Sequence, residues 1–404
     1  MDNEKSLGFS TRAIHAGQPD DAQGNVPVSP PIHLSADYLF DGVEHYAEVL
    51  SGHQQGYAYA RFGSPTHTSL HQVVASLEEA ESAFSFSSGM AAIHTSLAAM
   101  TKSGDHIVAD YGVYNTTYSL IESFLPRHGI RATFTEPEAI SIAEAIEPET
   151  RLVLIDSITT PSFRVADVAG VAQVCAARGI PLVVDNTIAT AYLLRPLDFP
   201  GVQLVVNSTS KYMGGHSDLI GGCVAGSTEL VRRIGELSRQ LGSIGGVFEA
   251  WLTLRGMQTL ALRMARQCTT ALALARLLND RAEVSGVGYA GLPGHRDHER
   301  AVRLFGGAGF GAMLSFSLAE GYDDAVGFCR ALRLARVGSG FGGVRTEVRH
   351  PATTSHKFLT ERQRLDRGIG PGLIRVAVGA EDAADLLCDF SDALDRLHGS
   401  NAGG

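Results

Sequence analysis

Four short apolar runs, each ending in a polar residue, recur through the first half of the chain. They are HIVAD (106–110), RLVLID (151–156), IPLVVDN (180–186) and VQLVVNS (202–208). Between two of these runs, VADVAGVAQVCAARG (165–179) has the spacing of an amphipathic helix. Strands that alternate with helices of this length predict a mostly parallel sheet covered on both faces. A sheet of this kind binds its ligands beyond the carboxyl ends of its strands.

Composition and spacing divide the chain into three segments. Residues 1–62 are rich in Gly, Pro, His and Tyr and lack periodicity, which indicates an N-terminal arm that packs on a neighbouring subunit. Residues 63–257 carry the alternating strands and helices, and residues 258–404 mix strands and helices as an α+β domain. The periodic stretch 249–280 predicts a long helical stretch that joins them. We therefore expect an α/β fold with a large domain and a smaller C-terminal α+β domain.

Charge, hydropathy and cysteine usage argue against several classes of protein. The formal net charge of −10 disfavours nonspecific binding to nucleic acid. No apolar run reaches the length of a membrane span, and the polar N-terminal stretch lacks a signal-peptide core, so we expect a cytoplasmic protein. The five cysteines are scattered and never form a CxxC pair, which argues against a disulfide framework and a zinc cluster.

A turn at residues 87–90, Ser-Ser-Gly-Met, follows a short apolar run and opens a helix. Backbone N–H groups at a helix N-terminus attract anions, and phosphate is the usual one. The same sequence is compatible with an ordinary turn, so the turn alone does not establish a ligand. The role of Asp185, at the end of the run PLVVD, is also undetermined by its local sequence. It could ligate a metal, cap the next helix or pair with a protonated ring nitrogen.

Lysine is rare in this chain, and one lysine lies at a notable place. Of the 33 Lys and Arg residues, the lysines are Lys5, Lys102, Lys211 and Lys357. Lys211 directly follows the last apolar run and is flanked by the hydroxyl groups of Ser208 and Ser210. Unlike arginine, lysine can lose its proton and attack a carbonyl. A reactive lysine, an acid at a strand end and an anion-binding turn together fit pyridoxal phosphate (PLP).

Along nearly its whole length the chain resembles the Cys/Met-metabolism family of fold-type-I PLP-dependent enzymes. The motifs that carry the resemblance are, in chain order, TRAIHAG, YARFGSPT, FSSGMAA, VVDNTIAT, STSKYMGGHSDLIGG, LRGMQTLALRM, HPATTSH and IRVAVGAED. The resemblance implies a homotetramer built from dimers with shared active sites. It also implies γ-replacement or γ-elimination on an amino acid, through a vinylglycine-type intermediate.

Position by position, the resemblance also implies roles for individual side chains. Lys211 would bond covalently to PLP, and Asp185 would pair with its ring nitrogen. Tyr114 would stack on the ring and donate a proton to the leaving group, while Arg375 would bind the substrate α-carboxylate. The residues implied to hold the cofactor phosphate are Ser88, Gly89, Met90, Ser208 and Ser210, with Tyr59 and Arg61 reaching the site of a neighbouring subunit. Tyr59 is also expected near the substrate.

Four motifs depart from the family pattern. Ser64 and Thr160 each replace an asparagine, the second one near the cofactor's phenolic oxygen, and Asn115 follows Tyr114 where glycine is usual. Ser339 stands where cystathionine enzymes have a glutamate associated with the distal amino group of the substrate. Because these changes surround the substrate, we expect conserved chemistry on a changed substrate, an O-activated homoserine. The alternative is cystathionine or methionine γ-lyase activity, which yields 2-oxobutanoate and ammonia.

Parts of the sequence also match three other functional classes. Residues 208–211 match the S-x-x-K pattern of serine acyl-enzymes, but the chain has no K-T-G or S-D-N partner. His295, His298 and Glu299 have the spacing of a metal site, yet the family has a similar segment without metal, so we predict no metal. A PLP-binding protein without catalysis is a further alternative, disfavoured because both Lys211 and Arg375 are kept.

Overall fold

The computed structural model describes residues 7–18 and 25–399. Two sheets organise this part of the chain, one of seven strands within residues 82–226 and one of five strands within residues 284–377. The predicted α/β class with a second, smaller domain is confirmed. The domain boundaries placed after residues 62 and 257 stay predictions.

The larger sheet is parallel except for one strand. The strands of both sheets are β1 (Ser82–Phe86), β2 (His106–Asp110), β3 (Arg131–Thr135), β4 (Thr150–Asp156), β5 (Leu182–Asp185), β6 (Val202–Asn207), β7 (Gly222–Gly226), β8 (Val284–Gly288), β9 (Met313–Leu318), β10 (Arg336–Val337), β11 (Glu347–Arg349) and β12 (Leu373–Ala377). The orders are β1-β7-β6-β5-β4-β2-β3 and β10-β11-β12-β9-β8. Strand β7 runs antiparallel to both of its neighbours, while β6, β5, β4, β2 and β3 are parallel. The four apolar runs of the sequence are β2, β4, β5 and β6.

Helices cover both faces of the larger sheet and pack against one face of the smaller one. They are α1 (Phe9–His15), α2 (Gly42–Ser51), α3 (Pro65–Glu78), α4 (Gly89–Met100), α5 (Asn115–Ser119), α6 (Ala139–Ala145), α7 (Val168–Arg178), α8 (Thr190–Leu193), α9 (Thr228–Leu241), α10 (Val247–Met257), α11 (Leu260–Asn279), α12 (His298–Phe305), α13 (Tyr322–Ala331), α14 (Glu361–Asp366) and α15 (Ala383–Gly399). Among the described residues, none of the helices combines the length and the apolar character that a membrane crossing requires.

The long helical stretch predicted over residues 249–280 consists of two helices, α10 and α11, with a break at residues 258–259. Thr259 leaves helical geometry with φ −110° and ψ 8°. The Arg263 guanidinium donates to the Gly256 carbonyl at 2.7 Å, so that carbonyl is satisfied by a side chain at the break. Gly256 also packs against the backbone of Gly214, where a Cβ would lie 2.1 Å from the carbonyl oxygen. The break therefore lets α10 approach the segment that follows Lys211.

A buried carboxyl group supports the end of β6, just before the lysine segment. Glu78, in the last turn of α3, is fully buried, and its Oε1 accepts a 2.8 Å hydrogen bond from the Asn207 side chain. Its Oε2 lacks a hydrogen-bond partner among the described residues. Burial is the main cause that raises the pKa of Glu78 to about 8. The folded protein therefore keeps this carboxyl protonated near neutral pH.

We predict that Glu78→Gln makes the protein less sensitive to rising pH. Between about pH 5 and 8 the folded state holds the Glu78 proton and the unfolded state releases it, so stability falls as pH rises. A neutral glutamine can still accept from Asn207 and removes this loss, which amounts to at most about 1.4 kcal/mol per pH unit. The unfolding midpoint of the variant, relative to wild type, should rise from pH 5 to pH 8. The matched change at exposed Glu144, Glu144→Gln, should leave the pH dependence as in wild type, and parallel curves for Glu78→Gln and wild type would refute the assignment.

Candidate functional site

A cavity of about 180 Å³ lies beyond the carboxyl ends of β4, β5 and β6, where the topology places a ligand site. Nine residues predicted from the sequence line it, namely Ser88, Gly89, Met90, Tyr114, Thr160, Asp185, Ser208, Ser210 and Lys211. Six further lining residues were not predicted as site residues, namely Ile93, Asp156, Ile158, Thr187, Ile188 and Phe341. The strands and the turn before α4 thus bring residues separated by more than a hundred positions into one cavity.

Three carboxyl groups lie in a row at this edge of the sheet, and two of them, Asp156 and Asp185, line the cavity. Asp110, Asp156 and Asp185 end the neighbouring strands β2, β4 and β5, and Asp156 is the register partner of Asp185. Asp110 Oδ2 accepts from the Asp156 N–H at 2.7 Å, which holds the first two carboxyl groups close together. Burial raises the pKa of all three groups, and mutual repulsion raises that of Asp156 further. A positive charge in the cavity would relieve this repulsion.

Asp185 is oriented by a threonine two residues later. Thr187 donates to Asp185 Oδ1 through both its N–H, at 3.0 Å, and its hydroxyl, at 2.5 Å. The same hydroxyl accepts from the Ser208 N–H at 2.8 Å, so one side chain ties the end of β5 to the end of β6. No hydrogen bond from the described residues reaches Asp185 Oδ2, the oxygen left available to a ligand in the cavity.

The turn before α4 presents donors to the opposite end of the cavity. Ser88 is the N-cap, and its hydroxyl accepts from the Ala91 N–H at 3.0 Å. The next two N–H groups, of Gly89 and Met90, have no acceptor within the helix because they lie in its first turn. Gly89 is required at this point, since a Cβ there would lie 2.8 Å from the Ser208 Cβ. The close approach places the Ser208 hydroxyl beside these N–H groups.

Lys211 lies between the two sheets, under the loop that carries Phe341. Its Nζ is 4.8 Å from the centre of the Phe341 ring. The Lys211 pKa is lowered mainly by burial and further by the charges of Arg375 and Arg349, while Glu347 acts in the opposite direction. A lowered pKa gives a larger share of neutral amine, the form that attacks a carbonyl and accepts a proton.

Four predicted residues do not line the cavity. Arg375 is only 6% exposed, lies behind Phe341 with 5.9 Å between its guanidinium and the ring centre, and donates to the Gly340 carbonyl at 2.7 Å. Ser339 is exposed in the same loop. Tyr59 and Arg61 lie elsewhere, with Tyr59 exposed and Arg61 donating to the Arg239 carbonyl at 3.1 Å. Their predicted role in a neighbouring subunit stays a prediction.

Some of the unpredicted residues left a signal in the sequence. Asp156 ends an apolar run just as Asp185 does, so the alignment of strand ends could have indicated it. Thr187 follows Asp185 at the spacing of an Asx-type turn, in which a side chain bonds the backbone two residues on. Phe341 belongs to a loop whose position depends on the second sheet, and no local pattern indicates it.

The residues behind the metal-site and serine acyl-enzyme alternatives form other hydrogen bonds in the structure. His295 Nδ1 accepts from the Asp297 N–H at 3.2 Å, and His298 Nδ1 bonds the Ala290 carbonyl at 2.8 Å. The Ser208 hydroxyl donates to the Gly221 carbonyl at 3.5 Å, and in the described part of the chain no hydrogen bond joins this hydroxyl to the Lys211 amine. Both hydrogen-bond patterns are those of structural residues.

The residues of the cavity fit a phosphorylated pyridine aldehyde. The buried Asp185 carboxylate suits a protonated ring nitrogen, whose charge would also offset that of Asp156. The N-terminus of α4 and the Ser208 and Ser210 hydroxyls suit a phosphate. Lys211 supplies the amine that an aldehyde requires. Together, these groups are the ones that a PLP site requires.

Comparisons with known proteins point in the same direction. Residues 10–395 match the family model described as Cys/Met metabolism PLP-dependent enzyme. The cystathionine gamma-synthase of Mycobacterium tuberculosis is 39% identical over 390 residues, which are 96% of this chain and 97% of that protein. The L-methionine gamma-lyase of Fusobacterium nucleatum is 34% identical over 398 residues, 97% of this chain and 99% of that protein.

Two further similarities bear on substrate and fold. The O-succinylhomoserine sulfhydrylase of Pseudomonas aeruginosa is 36% identical over 394 residues, 97% of this chain and 96% of that protein. The crystal structure of metB from Corynebacterium glutamicum superimposes with a TM-score of 0.91 at 37% identity, covering 98% of this chain and 100% of that one.

We predict that Lys211 is the lysine to which the cofactor bonds. Reduction of the holoenzyme with borohydride, digestion and mass spectrometry should find the reduced cofactor on the peptide that contains Lys211. Lys211→Ala should fold, as judged by circular dichroism, but carry no covalently fixed cofactor and lose turnover. The exposed lysine Lys357 provides the matched control, and Lys357→Ala should be labelled as wild type is. Wild-type turnover in Lys211→Ala would show that Lys211 is not the residue to which the cofactor bonds.

Proposed function

The chain belongs to the Cys/Met metabolism family of PLP-dependent enzymes, and from that membership we propose that it catalyses replacement or elimination at Cγ of an O-activated homoserine. Its cofactor is pyridoxal phosphate, and its substrate is an amino acid. The choice of substrate rests on the charge around the loop 338–343. Two guanidiniums, of Arg349 and Arg375, lie there with one carboxylate, that of Glu347.

Bound PLP supplies an electron-withdrawing ring that makes the α-proton of an amino acid acidic. In the proposal, Asp185 would keep the ring nitrogen protonated, while Thr187 fixes the Asp185 carboxylate through Oδ1. Lys211, with its lowered pKa, takes the proton at Cα and then handles the proton at Cβ. Arg375 binds the α-carboxylate, a geometry that a planar guanidinium suits. Tyr114 protonates the group that leaves Cγ.

The charges near Ser339 disfavour a cationic γ-substituent. Arg349 and Arg375 lie on this side of the site, and the nearest carboxylate, Glu347, is held by the Gly340 N–H at 2.8 Å. At the exposed Ser339, the distal ammonium of cystathionine would meet a neutral serine and the repulsion of two guanidiniums, with no carboxylate of the described residues placed to pair with it. An ester group carries no positive charge and avoids this repulsion. The Pseudomonas relative, whose name specifies an O-acylated homoserine, supports the same substrate class.

Assembly completes the proposal. We propose a cytoplasmic homotetramer built from dimers, in which Tyr59 and Arg61 reach the phosphate of the adjoining subunit. Apolar side chains of the N-terminal arm support an interface, since Val28 is 93% exposed and Leu34 is 77% exposed. Large apolar side chains left in water over one continuous segment mark a contact surface.

We predict that wild-type enzyme prefers O-acetyl-homoserine to cystathionine, compared as kcat/KM with formation of 2-oxobutanoate as the readout. Ser339→Glu should shift the preference towards cystathionine by about tenfold or more, because it places a carboxylate beside the distal ammonium. Ser339→Gln has nearly the same shape without the charge and should not shift it. Cystathionine turnover by wild type at or above the rate of the ester would refute the substrate assignment.

A second prediction tests the shared active site. Lys211→Ala and Arg61→Ala homo-oligomers should each be inactive or nearly so. Mixed after partial unfolding and refolding, they should regain activity, because some hybrid sites then combine an intact Lys211 with an intact Arg61. Lys211→Ala protein that is unfolded and refolded alone in the same way provides the control. A fully active monomer in sedimentation measurements would contradict the assembly.

A further inference from the structure

Residues 157–165 form a loop that separates two cavities. Ile158 and Thr160 line the cavity of about 180 Å³ that fits PLP, here called the cofactor cavity. Thr160 also lines a neighbouring cavity of about 570 Å³, here called the side cavity. A bridge between Ile158 and Val165 closes the loop at its base. The backbone of this loop therefore decides where Thr160 stands between the two cavities.

The loop holds a backbone conformation that its own sequence does not favour. Phe163 has a φ of 50°, in the left-handed region. A bulky residue rarely adopts this region, and it stays there only where the surrounding structure holds it. The Phe163 side chain is buried in the core of the larger sheet. The position of Thr160 thus depends on contacts between the loop and the rest of the protein.

Arg164, directly after Phe163, ties the loop to three carboxylates outside it. Its Nη1 donates to Glu136 at 2.8 Å, its Nη2 to Glu138 at 2.7 Å and its Nε to Asp297 at 2.6 Å. The side chains of Arg164 and Asp297 are 12% and 3% exposed, so water shields this pair little. Removal of one partner from such a pair leaves an unpaired buried charge.

The start of α12 holds the backbone of the loop at Val165. Asp297 Oδ2 accepts from the Val165 N–H at 3.1 Å, and Arg300 Nη1 donates to the Val165 carbonyl at 2.8 Å. Arg300 also donates to Glu138 Oε2 at 2.6 Å, so the two guanidiniums share one carboxylate. Because α12 lies between β8 and β9 in the chain, these contacts join the smaller-sheet segment to the loop beside the cofactor cavity.

We propose that Arg164 is a positioning residue for the cofactor. Through its ion pair with Asp297 it holds the loop 157–165 so that Thr160 closes the cofactor cavity towards the side cavity. Arg164 lines the side cavity but not the cofactor cavity, so its effect is transmitted through the loop. The inference goes beyond the proposed function and concerns the cofactor site alone, so it does not depend on which substrate is turned over.

A double-mutant cycle tests whether Arg164 acts through Thr160. The dissociation constant of PLP is measured by equilibrium dialysis of the holoenzyme for wild type, Arg164→Gln, Thr160→Ala and the double variant. Arg164→Gln should raise the constant about tenfold in the wild-type background and less than about twofold in the Thr160→Ala background, because residues that act as a unit are not additive. Arg164→Lys, which keeps the charge, should retain part of the affinity.

Arg281 provides the matched control, since it pairs with Glu283 and Asp395. Arg281→Gln should leave the dissociation constant unchanged in both backgrounds. In the Arg164→Gln holoenzyme, amide hydrogen exchange should become faster within residues 157–165.

An equal rise of the dissociation constant in both backgrounds, no rise at all, or unchanged exchange in the loop would overturn the proposal. If Arg164→Gln does not fold, Asp297→Asn replaces it in the same cycle under the same criteria. Asp297→Asn leaves Arg164 paired with Glu136 and Glu138.

Discussion

A row of three carboxyl groups at one edge of the larger sheet is the constraint on which the site depends. Asp110, Asp156 and Asp185 lie side by side because parallel strands end at one edge of the sheet. Burial raises the pKa of each group, and repulsion raises the pKa values of Asp110 and Asp156 further. A protonated pyridine ring would supply a compensating positive charge, and the cavity beside Asp185 has the lining that such a ring and its phosphate require.

Opposite charges collect on the other side of the cavity. The smaller sheet contributes Arg349 and Arg375, while the larger sheet contributes the carboxyl groups, and Lys211 lies between them. In the proposed function, this separation of charge aligns an amino-acid substrate with its carboxylate towards the guanidiniums and its reacting carbon near Lys211. The proposal therefore assigns the choice of substrate to the smaller sheet and the chemistry to the larger sheet. With this division, the loop at Ser339 can change while the lysine and the acid are kept.

Local patterns predicted strands and helices in both domains, but not how the strands of the smaller sheet pair. The runs that became β2, β4, β5 and β6 are continuous apolar segments, and their polar ends located Asp185 and the lysine segment. Strand β7 consists mainly of small residues, and the pairing of Arg349 with Arg375 depends on a register between strands about 25 residues apart. Neither leaves a periodic signal, because register between strands is set by packing rather than by local sequence.

The protonation state of the cofactor ring tests this account most directly. PLP labelled with ¹⁵N at the ring nitrogen is bound to the protein, and the ¹⁵N chemical shift is followed by NMR from about pH 6 to pH 9, a range wide enough to exceed the ordinary pKa of a free pyridine. The account predicts a protonated nitrogen throughout in wild type, and loss of that proton in Asp185→Ala. A neutral ring nitrogen in wild type at pH 7 would contradict the claim that the buried carboxylates are organised around a cationic cofactor.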